Sequence, residues 1–132
     1  MVEVTVFMET EINPTESEDK VKAAVNNVLG NATITVKPSA KGNVLSAVAK
    51  GQDSLVRLRN LMRNDRIRDA ARKLLYKSIN GTMISFCLNK QVAFVGHVSF
   101  SEEKAESPLG PIIVNIETEH PQQLIEWLAE KT

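Results

Sequence analysis

The chain has 132 residues, 42% of them apolar and 24% charged, a size and balance that fit one globular domain and exclude a wholly disordered chain. Its longest unbroken apolar run, Val92-Ala93-Phe94-Val95, is far short of the ~20 residues of a spanning helix, which excludes a helical membrane anchor. The net charge of zero conceals four blocks, −6 over residues 1–19, +5 over 20–52, +6 over 53–90 and −5 over 91–132, with all six arginines between Arg57 and Arg72.

Val2, Val4, Val6 and Met8 alternate with Glu3, Thr5, Phe7 and Glu9, the period-two pattern of a strand with one buried face. Asn13-Pro14 ends it. Thr15-Glu16-Ser17-Glu18 has the form of a capping box with Thr15 as N-cap. Val21, Ala24, Val25, Val28 and Leu29 then recur at helical spacing up to Gly30. Residues 33–36 read as a second strand, closed by Pro38. In residues 39–52, Gly42 and Gly51 flank Val44, Leu45, Ala47 and Val48, which fits either a short strand or a structured loop.

Residues 53–80 read as two helices. Leu55, Leu58, Leu61 and Met62 fall on one side of a helical wheel, and Ile67, Ala70, Ala71, Leu74 and Leu75 almost opposite. A break is therefore expected near Asn64-Asp65, with Asp53 or Ser54 capping the first helix and Asn64 the second. After a turn at Asn80-Gly81, residues 82–88 and 92–100 read as strands, joined in a tight hairpin at Asn89-Lys90-Gln91. A polar, acidic loop over 101–110 leads to a strand through Ile112, Val114 and Ile116. Pro121 opens a last helix with Leu124, Trp127 and Leu128 on its buried stripe. The expected fold is one α+β domain over residues 1–132. It is a two-layer sandwich with a mostly antiparallel sheet, its last three strands a meander, and helices on one face.

At Leu88-Asn89-Lys90-Gln91-Val92-Ala93-Phe94-Val95-Gly96 the chain resembles an archaeal group, uncharacterised protein family 0201. Ser54-Leu55-Val56-Arg57-Leu58-Arg59 and Arg66-Ile67-Arg68-Asp69-Ala70-Ala71-Arg72 are similar to a second hallmark, and Pro14-Thr15-Glu16 with Glu18 and Leu109-Gly110-Pro111-Ile112 fit as well. Val92 stands where the family is expected to carry alanine. The resemblance implies a fold like that of the ribosomal protein called L-five, a tendency to form homodimers, and a proposed link to RNA that includes a predicted tie to the exosome.

Arg57, Arg59, Arg63, Arg66, Arg68, Arg72, Lys73 and Lys77 are eight cations broken only by Asp65 and Asp69. Guanidinium forks suit phosphate oxygens, and backbone neutralisation supplies much of the affinity in nucleic-acid complexes. The segment is the candidate RNA-binding face, with Asn89, Lys90 and Gln91 extending it from the hairpin tip. The competing reading pairs these cations with the acids of the chain's two terminal blocks, or within the helices as Asp65–Arg68, Asp69–Arg72 and Asp69–Lys73. In that case the charge blocks steer a protein partner or a second copy, and the uncovered sheet face is the interface.

Signals for catalysis are poor. His97 and His120 are far apart in sequence, with no metal-ligand spacing around them, and no glycine-rich phosphate loop or nucleophile elbow occurs. Cys87, in an apolar strand, reads as an inert buried thiol, and Phe94 and Trp127 as core. No cofactor, metal or catalytic residue is expected. The start Met1-Val2-Glu3-Val4 lacks the basic and apolar regions of a secretory signal, and the lone cysteine fits a reducing compartment, so a cytoplasmic location is expected.

Overall fold

In the computed structural model, which describes residues 3–40, 42–101 and 110–130, the opening alternation becomes strand β1 (Thr5–Ile12). Val6, Met8, Thr10 and Ile12 are buried, while Phe7, Glu9 and Glu11 face outward. The next residues form a turn rather than a capping box. The Glu16 N–H donates to the Asn13 carbonyl at 2.8 Å, and Glu16 Oε1 accepts from the Asn13 backbone N–H at 3.0 Å and its side-chain amide at 2.6 Å. The N-cap of helix α1 (Glu18–Val28) is accordingly Ser17 and not Thr15. Glu18 and Asp19 sit in its first turn, where carboxylates complement the positive end of the helix dipole.

Strands β2 (Thr33–Ser39) and β3 (Gly42–Lys50) follow. The segment open between strand and loop is thus a strand, with Leu45, Ala47 and Ala49 buried at period two. Gly42 is required there: its φ is +145°, and an added Cβ would lie 2.5 Å from the Ile12 carbonyl oxygen. A single 3₁₀ turn, Gln52–Leu55, leads into α2 (Val56–Asn64), which starts without a side-chain cap. Ser54 Oγ instead donates to the Gly51 carbonyl at 2.7 Å.

The break before α3 (Arg68–Lys77) lies where the opposed apolar stripes require it. It is a Schellman motif: the Ile67 N–H donates to the Met62 carbonyl and the Arg66 N–H to the Arg63 carbonyl, each at 3.2 Å. Asn64 ends α2 rather than capping α3, and α3 likewise starts without a side-chain cap. Arg66 takes the left-handed position, φ 57°, that glycine fills most easily.

The remaining elements are β4 (Ile79–Asn80), β5 (Met83–Asn89), α4 (Lys90–Phe94), β6 (Phe100–Ser101), β7 (Pro111–Glu117) and α5 (Pro121–Leu128). The expected hairpin at Asn89-Lys90-Gln91 is absent. Asn89 Oδ1 accepts from the Val92 N–H at 3.0 Å and caps α4, so most of the second expected strand is helix and loop. The acidic loop over residues 102–109 lies outside the described residues.

All strand pairs are antiparallel, in the order β2-β3-β1-β7-β5-β4, with β6 also paired to β5. The last three strands are therefore no meander: β7 is inserted between β1 and β5. One sheet face carries Met8, Leu45, Val114, Ile116, Ile84 and Leu88, which join Val25, Leu58, Leu75 and Leu124 of the helices in one core. Each fully buried side chain of this kind contributes about 1.5–3 kcal/mol. The chain is thus mixed α+β, with an antiparallel sheet and its helices on one face. On the other face Thr33, Val48, Phe7, Asn115 and Ser85 make one row across five strands. No helix among the described residues is long and apolar enough to cross a membrane.

Candidate nucleic-acid interface

The residues singled out for nucleic-acid contact separate into groups. Asn89, Lys90 and Gln91 form no exposed tip. Asn89 is occupied as a helix cap, and only Gln91 is exposed. Lys90 is 4% exposed, and its ammonium donates to the Glu11 carbonyl at 2.7 Å and to Glu16 Oε1 at 2.9 Å. A buried ammonium must be met by acceptors of this kind, so Lys90 fastens α4 to the turn between β1 and α1. Burial disfavours the Glu16 carboxylate. The Asn13 N–H, the Lys90 ammonium and the Asn13 amide outweigh that effect and hold its pKa below the ordinary carboxyl value.

Three of the arginines are engaged by acceptors of the chain itself, Arg57 while remaining exposed. Arg57 donates to the Asn26 carbonyl at 2.5 Å, binding α2 to α1. Arg59 donates to the Trp127 carbonyl at 2.9 Å and to Glu130 Oε2 at 2.7 Å. Its guanidinium also lies 5.2 Å from the centre of the half-buried Trp127 ring. Arg72 grips Asp69 Oδ1 through both terminal nitrogens, at 2.9 and 2.5 Å. The Asp69–Arg72 pairing weighed from the sequence therefore forms, and so does pairing with the acidic C-terminal block, through Glu130.

Arg63, Arg66, Arg68 and Lys73 are placed differently. Arg63 reaches Glu130 only at 4.0 Å. Arg66, Arg68 and Lys73 have no carboxylate within ion-pairing distance among the described residues. Arg66 and Lys73 are exposed and Arg68 is half-buried. Arg63, Arg66 and Arg68 line one recess of about 180 Å³ at the junction of α2 and α3, with Asp69 on its wall. The Schellman turn separates Arg63 at the end of α2 from Arg68 at the start of α3, and the three arginines meet around it.

Asp65 does not pair with Arg68. Its Oδ1 lies 2.9 Å from His97 Nδ1, and its Oδ2 accepts from the Val98 N–H at 2.8 Å. The His97 hydrogen bond, against partial desolvation and with help from the Val98 N–H and the His97 charge, holds the Asp65 carboxyl below its ordinary pKa. This contact, missed in the sequence, anchors the loop after α4 to the α2–α3 junction. Its one sequence signal is an aspartate directly after a helix end.

Cys87 is buried, as its apolar surroundings suggest. Phe94, expected in the core, is 42% exposed on α4. No three His, Cys, Asp or Glu side chains among the described residues are grouped as metal ligands. A second recess, about 470 Å³, lies between α1 and α4, lined by Lys20, Val21, Ala24, Gln91, Phe94 and Val95 among others.

A family model described as RNA binding matches residues 5–118. A UPF0201 protein of Sulfurisphaera tokodaii is 42% identical over 127 residues, covering 96% of this chain and 88% of its own. One from Saccharolobus solfataricus is 37% identical over 129 residues, covering 98% and 89%. The crystal structure of a UPF0201 protein from Methanococcus jannaschii superposes with a TM-score of 0.85 at 30% identity, covering 97% of this chain and 94% of that one. An Archaeoglobus fulgidus protein of the DUF54 family, at 19% identity and a TM-score of 0.68 over 96% and 95% of the two chains, shares the fold. With the hallmark segments in place along nearly the whole length, the chain belongs to the archaeal UPF0201 family.

Proposed function

We propose that this protein is a non-catalytic RNA-associated protein that holds RNA phosphate groups through Arg63, Arg66, Arg68 and Lys73. The observation that carries the reading is the charge left over at the α2–α3 junction. Arg66 and Arg68 have no ion-paired carboxylate among the described residues, whereas Arg57, Arg59 and Arg72 are engaged by acceptors of the chain itself. The match to a family described as RNA binding supports the choice of polyanion. An L-five-like fold, the further implication of the resemblance, belongs to the same proposal. The test is a titration of labelled single-stranded RNA at several salt concentrations. Affinity should fall with a slope of roughly −0.7 per neutralised phosphate, and an Arg66→Gln/Arg68→Gln/Lys73→Gln variant should bind more weakly with a shallower slope. Absence of binding at low salt, or binding indifferent to salt, would overturn the reading.

A second reading has its own observation. The open sheet face exposes Phe7 and Val48 side by side, with Lys37 and Lys50 toward one edge and Glu9, Glu11 and Glu117 nearer the centre. A two-fold axis would set the lysines of one copy over the glutamates of the other, the self-complementarity of an isologous homodimer. Sedimentation of the protein and of its Phe7→Glu variant tests this: the first should be a dimer and the second a monomer.

A further inference from the structure

We infer that the recess at the α2–α3 junction is a pocket for a terminal phosphomonoester, the phosphorylated end of an RNA strand rather than its phosphodiester backbone. The inference rests on the reading of the protein as RNA-associated and names the part of the ligand that this site takes.

Three observations converge on it. Arg63, Arg66 and Arg68 line a single recess of about 180 Å³, well under the roughly 300 Å³ at which ordinary small-molecule pockets begin. The volume suits a phosphoryl group, and the rest of the ligand, left in solvent at the open mouth, must project that group inward. A chain end does so freely, whereas an internal phosphate is flanked by sugar on both sides. The charge is also matched. A phosphomonoester carries about −1.5 to −2 at neutral pH, against −1 for a diester. Arg66 and Arg68 have no carboxylate partner among the described residues, and Arg63 has one only at 4.0 Å. Asp69, the one acid on the wall, has Oδ1 held by both terminal nitrogens of Arg72, which offsets its repulsion. Finally, Arg66 is kept where its residue type is unfavourable. A φ of 57° suits glycine or asparagine, and backbone strain retained at one position marks a site where the side chain is used. The uncapped start of α3 adds backbone N–H donors beside Arg68.

The experiment uses the full chain and three probes: inorganic phosphate, a short RNA with a 5′- or 3′-phosphate, and the same RNA with hydroxyl ends. The expected result is saturable binding of inorganic phosphate by calorimetry or phosphorus NMR. An Arg66→Gln/Arg68→Gln variant with unchanged unfolding temperature should weaken it about tenfold or more. One phosphorylated RNA should bind more tightly than the hydroxyl form, and the difference should vanish in the variant; which end is preferred identifies the source of the phosphate. Equal affinity for phosphorylated and hydroxyl RNA, lost together in the variant, overturns the pocket and leaves the RNA-associated reading standing. Phosphate binding that needs Arg66 and Arg68, with no binding of any RNA, keeps the pocket and overturns that reading. Phosphate binding unchanged in the variant overturns the pocket outright.

Discussion

The ammonium of Lys90 donates to Glu16 Oε1 at 2.9 Å across 74 residues of chain, with both side chains withdrawn from solvent. The contact joins the first residue of α4 to the turn before α1, and the second bond from Lys90, to the Glu11 carbonyl, ties both to the end of β1. The residue expected to extend the RNA-binding face from a hairpin tip is therefore a structural one. Removing one partner of a buried pair strands the other, so Lys90→Met should destabilise the fold by about 3 kcal/mol. Urea unfolding measures the loss, and Lys90→Met/Glu16→Gln should recover part of it. RNA affinity of the folded fraction should not change.

Glu16 also sets an acid limit. Its carboxyl is held below the ordinary value in the folded state, so its contribution is fully present above the unfolded carboxyl range near pH 4.3. That contribution is lost as the pH falls through the lower folded value. Wild-type stability should exceed that of Glu16→Gln by a constant margin at neutral pH, and the margin should close below about pH 4. Unfolding curves recorded between pH 7 and 3 check the direction.

Glu130 competes with any anion for the arginines, being bonded to Arg59 at 2.7 Å and near Arg63 at 4.0 Å. Glu130 is itself half in water, and such pairs contribute at most about 1 kcal/mol. Glu130→Gln should therefore leave the fold nearly as stable and raise RNA affinity by up to about fivefold at low salt. A filter-binding titration of the two proteins side by side decides it.

Arg66→Gly separates stability from function. The left-handed backbone at this position costs a side-chain-bearing residue roughly 1 kcal/mol, so the glycine variant should melt higher. It should also bind phosphate and RNA more weakly. A thermal melt and one titration suffice, and a variant that gains stability with no loss of binding would remove Arg66 from the interface.

Much of the fold was written in local periodicity. The alternation in β1 and the stripe Val21, Ala24, Val25 and Val28 each buried the expected side. The two opposed stripes placed the α2–α3 break to within a residue or two. Local pattern failed where two structures share it. Val92-Ala93-Phe94-Val95 is an apolar run too short to discriminate strand from helix, and the Asn89 cap decides for helix only once Lys90 is seen to be buried. In β3 the half-buried Val44 and the exposed Val48 hid the alternation of Leu45, Ala47 and Ala49. For the candidate site, the sequence located the charge but not its availability. Whether an arginine is free depends on acceptors far along the chain: the Asn26 carbonyl for Arg57, and the Trp127 carbonyl and Glu130 for Arg59.

The position of β7 governs how the molecule can be made. Strands β2, β3 and β1 form one hydrogen-bonded group and β5 with β4 and β6 another, and among the described strands it is β7, residues 111–117, that joins them into one sheet. During synthesis the inner edges of β1 and β5 stay open until that late segment leaves the ribosome, and unpaired edges of this kind recruit foreign strands. A nascent chain halted before residue 111 would hold two half-sheets with a gap between them, and would be prone to aggregate.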